Sequence, residues 1–187
     1  MKNHIHILCL AASLLILTGC ATIPEPAEGK ALLVGSVAFK GTHFQNFEGL
    51  NLNGVTRNAI KLTFLDKQKQ TYFDLYSDSK GMFSTADLSP GDYRLNRVEI
   101  KLTSSGNGAT LTLFAPVPGD AYFTLREGVI NNVGLVSWTQ DGRNNIPEYR
   151  ANDGYQETAA YFAKKTAKTG WAKFDYSNTF IHGINPY

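Results

Sequence analysis

The chain is short of the residues that do chemistry. Of its 187 residues only two are cysteine and four are histidine. Cys9 and Cys20 both fall in the first twenty positions, so no thiol remains beyond them for a disulfide, a nucleophile or a soft metal ion. His4 and His6 belong to the same opening stretch. His43 and His182 are left, and neither stands at a metal-ligand spacing such as H-x-x-x-H. There is no G-x-S-x-G elbow and no P-loop. Asp74, Asp78, Asp87 and Asp92 lie close in sequence, but Asp78 and Asp92 sit in turns, where a carboxylate caps backbone N–H groups. Asp78-Ser79-Lys80-Gly81 has too few ligands for a calcium loop. The expectation is a protein that is not an enzyme, uses no cofactor and holds no metal. Charge of one sign is also missing: the formal net charge is +2, with no run of like charge. A nucleic-acid partner needs a basic stripe and is therefore not expected. Finally, no apolar run is long enough to span a bilayer, which takes about 20 residues.

What is present begins with an export signal. Lys2 gives a weakly basic start, and an apolar stretch follows from Ile5 to Leu17. It ends in Leu17-Thr18-Gly19-Cys20, which resembles the lipobox of bacterial lipoproteins. The resemblance implies that residues 1–19 are removed and that Cys20, alkylated by diacylglycerol, becomes the first residue of a mature chain carrying three acyl chains. One acyl chain binds a membrane only marginally, whereas several make the attachment effectively permanent. By the same analogy Ala21, in place of an aspartate, points to the outer membrane. Removing 19 residues from 187 leaves 168, enough for one domain with a proper core. Residues 20–30 contain Pro24, Pro26, Glu25 and Glu28, a composition expected to form an extended, unpacked spacer.

Residues 31–140 read as short strands separated by turns. Ala31–Phe39 is a first strand. In the segment Thr71–Ser77, Tyr72, Asp74 and Tyr76 fall on one face and Phe73 and Leu75 on the other, the period-two pattern of a half-buried strand. Similar segments recur at 59–66, 82–84, 93–100, 109–115, 122–125 and 132–138. This spacing, with turn residues between, is that of an all-β antiparallel sandwich. Two blocks carry a further likeness. Ser77-Asp78-Ser79-Lys80-Gly81-Met82-Phe83 and Leu88-Ser89-Pro90-Gly91-Asp92-Tyr93-Arg94-Leu95 resemble the carboxypeptidase regulatory-like domains. These are transthyretin-like sandwiches of seven or eight strands. The resemblance implies a hairpin at Asp78–Gly81 returning Phe83 to the core, a Pro-Gly turn flanked by Leu88, Tyr93 and Leu95, and a role as an accessory or binding module.

The remainder, 141–187, is expected to be an extension packed on the sandwich. A helix is predicted over about 153–168, opened by Asn152-Asp153-Gly154 and stopped by Gly170, with Tyr155, Ala159, Phe162, Ala163 and Thr166 on one face. An aromatic-rich end follows, in which a last strand docks back.

For function, the leading expectation is a lipid-anchored envelope lipoprotein whose sandwich contacts another envelope or surface protein. The alternative is a small-ligand or glycan-binding lipoprotein using loop 40–58. There His43, Phe44, Asn46 and Phe47 combine ring faces with an amide, although Phe44 and Phe47 also suit a lid over the core. A hydrolase with an unrecognised site, built around His43 or His182, is the third.

Overall fold

The structure is a computed structural model in which residues 23–41, 55–57, 60–104, 110–140 and 148–183 are described. Eleven strands form two sheets. In sheet A, β1 (Ala31–Gly41) lies between β5 (Met82–Leu88) and β9 (Ile130–Gln140). The far edge of β9 is shared by β11 (Tyr176–Asn178), which pairs with residues 130–132, and β10 (Glu148–Asp153), which pairs with residues 135–139. In sheet B, β3 (Lys61–Asp66) lies between β4 (Thr71–Tyr76) and the long β6 (Gly91–Ser104). The other edge of β6 takes β8 (Tyr122–Leu125) and β7 (Thr110–Ala115), while β2 (Val55–Arg57) continues the β3 edge.

The fold is the expected all-β sandwich with a C-terminal helix. In detail it departs from the antiparallel form with seven or eight strands: eleven strands are described, and β1–β9 and β11–β9 run parallel. Parallel neighbours need a crossover connection, and sheet B supplies it, because the chain leaves sheet A after β5 and returns only at β9. For the same reason Asp78–Gly81 is not a hairpin. It carries the chain from β4 in sheet B to β5 in sheet A, and Ser89-Pro90 carries it back. Phe83 does return to the core, and Tyr93 OH closes the Pro-Gly turn by donating to Ser89 O at 2.7 Å.

The core between the sheets is built by alternation. Leu33, Val37 and Phe39 of β1 and Val133, Val136 and Trp138 of β9 face Leu62 and Phe64 of β3, with Tyr93, Leu95, Val98 and Ile100 of β6. The period slips by one in β9 and in β6 at β-bulges. In β9 the bulge rests on Gly134 at φ 66, where a Cβ would stand 2.2 Å from Asp153 O.

The second face of sheet A is buried too. Leu32, Val34, Ala86 and Ile130 are covered by Phe162 of α1 (Tyr155–Thr166), by Trp171 of a 3-10 turn (Gly170–Lys173) and by Ile23. A strand covered on both faces reads as a continuous apolar run, which accounts for Ala31-Leu32-Leu33-Val34. The buried stripe of α1 is Thr158, Phe162 and Thr166, and Ala163 of the expected stripe is exposed. Thr158 belongs inside because its hydroxyl meets Ser36 Oγ at 3.2 Å across the interface. Asn152 and Asp153 end β10 instead of opening the helix.

Residues 23–30 are docked, contrary to the expectation of an unpacked spacer. Ile23 is only 5 % exposed. Trp171 Nε1 donates to Pro24 O at 2.8 Å, Gly170 N to Glu25 Oε2 at 2.6 Å, and Gly29 N to Glu127 Oε1 at 3.1 Å. Proline does make this stretch non-helical, but Ile23 and the Pro24 carbonyl find partners in the C-terminal extension. Among the described residues no helix is long and apolar enough to cross a membrane.

Candidate interaction surface

Helix α1 and the strap of residues 23–30 cover the outer face of sheet A; among the described residues no element covers the outer face of sheet B. The registers set its side chains in rows. Tyr76, Lys61, Glu99 and Phe114 lie side by side across β4, β3, β6 and β7. Two residues along β3, Asp74, Thr63 and Arg97 form the next row. Two further on, Tyr72, Leu65, Arg94 and Tyr122 cross β4, β3, β6 and β8. Four rings therefore mark the corners of a face about 14 Å across the strands and about 13 Å along them. Tyr72, Tyr76 and Phe114 are 60 %, 61 % and 59 % exposed, and Tyr122 37 %. The pleat explains the arrangement: successive side chains alternate faces, so a ring at every second residue of an outer strand points to solvent.

Charges of both signs fill the centre and pair with one another. Lys61 Nζ lies 3.2 Å from Asp74 Oδ2 and 3.4 Å from Glu99 Oε1, and Arg97 lies 3.5 Å from the same Glu99 oxygen. Thr63 Oγ1 donates to Asp74 Oδ1 at 2.6 Å. The Thr63 hydroxyl and then the Lys61 ammonium hold the Asp74 carboxyl below the usual carboxylate range. The hydrogen bond to Asp74 in turn raises the Lys61 ammonium. The Arg97 guanidinium sits 4.7 Å from the Phe114 ring centroid and the Lys67 ammonium 5.1 Å from that of Tyr122, both cation–π distances. The face thus carries a balanced cluster of two cations and two carboxylates at its centre, further cations at Arg94 and Lys67, and aromatic rings at its corners. Mutual pairing offsets part of the cost of desolvating the central charges, and the rings supply contact area at low side-chain entropy.

One corner is thickened by the C-terminal segment. The His182 ring stacks on Tyr122 with centroids 4.4 Å apart, and Phe180, 56 % exposed, meets it edge-on at 5.3 Å. His182 N donates to Tyr122 O at 2.8 Å and fixes this placement. His182 is exposed and occupied by stacking instead of facing a buried cleft.

Of the residues singled out from the sequence, Cys20, His43, Phe44, Asn46 and Phe47 lie outside the described residues, as does most of loop 40–58. Tyr72, Asp74 and Tyr76 occupy the face their alternation assigned them. Arg97, Phe114 and Tyr122 were not singled out as site residues, and Phe180 was marked only as part of the aromatic-rich end; it follows β11 outside any strand. The signal for the first three was the outward phase of their own strands, and nothing in the sequence aligned those strands with β4.

A concave feature lies on the opposite side of the molecule. It is a cleft of about 220 Å³ between the strap and the 3-10 turn, lined by Lys30, Glu127, Trp171, Lys173 and Phe174 among others. Among the described residues no three metal-ligating side chains converge.

No protein-family model matches the chain, and no curated protein matches it. Among solved structures, it is similar to a protein of Bacteroides ovatus described as a candidate cell adhesion protein. The identity is 13 %, the TM-score 0.22, and the likeness covers 67 % of this chain and 44 % of the other. This chain thus spans less than half the length of that protein, and a similarity at this level carries no functional argument.

Proposed function

We propose that the protein is a cell-envelope lipoprotein, anchored through Cys20 to the outer membrane, that acts by binding another envelope or surface protein through the outer face of sheet B. The observation that carries the binding half is the four-ring frame of Tyr72, Tyr76, Phe114 and Tyr122 around a neutralised ion-pair lattice. Aromatic residues are enriched where proteins meet, and these four share one face of a sheet. The anchoring half rests on Leu17-Thr18-Gly19-Cys20, and the binding-module likeness of the Ser77–Phe83 and Leu88–Leu95 blocks rests on those residues alone.

The test places a photo-crosslinking residue at Tyr76 in cells and compares it with one at Ala160 on the exposed side of α1. A discrete adduct from position 76, absent from position 160 and lost when Tyr72 and Phe114 are changed to serine, supports the reading. Identical adduct patterns from the two positions overturn it. The same serine variants, titrated with envelope polysaccharides, separate a glycan partner from a protein. In that case the glycan reading moves from loop 40–58 to this face.

A further inference from the structure

The strap bears on how the domain stands on a membrane. Ile23 is buried among Leu32, Val34, Phe162 and Trp171, and the Pro24 and Glu25 contacts fix the chain against the first two residues of the 3-10 turn, Trp171 and Gly170. Cys20 lies only three peptide steps before Ile23. At full extension they reach about 11 Å. An anchor at Cys20 therefore lies close to the layer formed by α1 and the 3-10 turn, whatever path residues 20–22 take.

That layer is chemically polarised. The first turn of α1 carries Glu157, and the last carries Lys164 and Lys165, with Lys168 just beyond and Lys173 in the 3-10 turn. Lys164, Lys168 and Lys173 are exposed. Lys165 lies 3.7 Å from Asp78. Acids stand at this level too: Glu25 accepts from Gly170 N, Glu28 and Glu127 line the cleft with Lys173, and Asp175 follows Phe174, so the lysines that extend beyond these acids carry the attraction. The basic end of the helix is the end beside Trp171 and the strap, where the chain leaves toward Cys20. Phe174, partly buried against Trp171, supplies an aromatic at the same level.

Resting on the lipoprotein reading above, we infer that the basic end of α1 and the 3-10 turn (Lys164, Lys168 and Lys173) dock on an anionic bilayer surface beneath the anchor. Sheet A and sheet B lie in order above α1, so this orientation turns the four-ring face away from the membrane, toward a partner. Each lysine brought near an anionic surface shifts the docked population by about fivefold, and a short docked strap keeps all three within range, where a flexible spacer does not.

The lipidated protein is reconstituted in vesicles with and without phosphatidylglycerol, after its acyl mass is verified. With Cys20 alkylated and Cys9 removed, a single engineered thiol is labelled uniquely. One fluorophore is placed at Ala172→Cys and another at Thr124→Cys on the outer face of sheet B, and quenching by a headgroup nitroxide is read. The expected result is strong quenching at 172 and weak quenching at 124, deepened at 172 by phosphatidylglycerol. Replacing Lys164, Lys168 and Lys173 by glutamine removes the phosphatidylglycerol-dependent part while the unfolding midpoint holds. Equal quenching at the two positions, or a phosphatidylglycerol response that survives the glutamines, overturns the orientation while leaving the anchor intact. A native protein without acyl mass overturns the lipoprotein reading, and the orientation with it.

Discussion

Gly35 shows what a single absent side chain does in this core. It sits between Leu33 and Val37 on the inward face of β1, and a Cβ there would stand 2.3 Å from Phe83 Cζ and 2.6 Å from Val133 Cγ2. Alanine at an ordinary strand φ gains about 0.4–1 kcal/mol by restricting the unfolded chain. The obstructing group, however, is a buried ring and not the flexible tip of a surface side chain. Overpacking of this kind costs about 1–3 kcal/mol, so the clash wins. Gly35→Ala is expected to lower stability by that amount in chemical denaturation with an unchanged m-value. A neutral substitution would show that Phe83 can move aside. The sequence places Gly35 inside a strand but does not say what approaches it, because Phe83 meets it only through the β1–β5 pairing.

At the scale of elements, the C-terminal extension and the N-terminal strap hold each other. Trp171 fills the space over Leu32, Val34 and Ile130 and gives its indole N–H to Pro24. Truncating a buried tryptophan costs about 3–5 kcal/mol. Trp171→Ala is expected to cost that much and also to release the strap, so that limited proteolysis cuts within 23–30 before the sandwich unfolds. Uniform resistance there would mean that the strap is held by Glu25 and Gly29 alone. Period-two strands such as β4 were legible because half-burial writes itself into alternation. β10 was not: Glu148-Tyr149-Arg150-Ala151-Asn152-Asp153 is a polar edge strand with no run of buried residues. The helix was legible as an element, yet its buried face had to be shifted to include Thr158, whose hydroxyl is satisfied only by Ser36 from the first strand.

For the whole molecule, acid stability follows from carboxylates held in the folded state, Asp78 by a distant element and Asp66 by its own turn. Asp78 illustrates the balance. Burial pushes its carboxyl up, but the Tyr161 hydroxyl of α1, the backbone N–H groups of Met82 and Lys80, and then Lys165 outweigh burial and hold it below its ordinary 3.8. Asp66, raised by burial and lowered more by Lys69 and Gln68 N–H groups, behaves alike, and so does Asp74. The sign follows from linkage. Below about pH 4 the unfolded chain takes up protons that the folded chain refuses, so the stabilisation is complete above that pH and is lost as pH falls through the folded values. The unfolding midpoint is expected to be insensitive to these groups between pH 5 and 7 (about one unit or more above their ordinary range) and to fall steeply below 4. Asp78→Asn is expected to start lower at neutral pH and to fall less. A parallel pair of curves would show that Asp78 does not couple α1 to the sandwich.

The sequence alone determined the fold class, most of the strand phases, the existence of the helix and the turn chemistry at Asp78 and Pro90-Gly91. Each of these is set by interactions among residues a few positions apart. Tertiary structure decided the rest. It set the parallel β1–β9 pairing, joining residues about a hundred positions apart. It docked the strap on Trp171, and it placed Tyr72, Tyr76, Phe114 and Tyr122 around one face. Alternation states which side of its own strand a residue occupies; only the register between strands states which residues of other strands stand beside it.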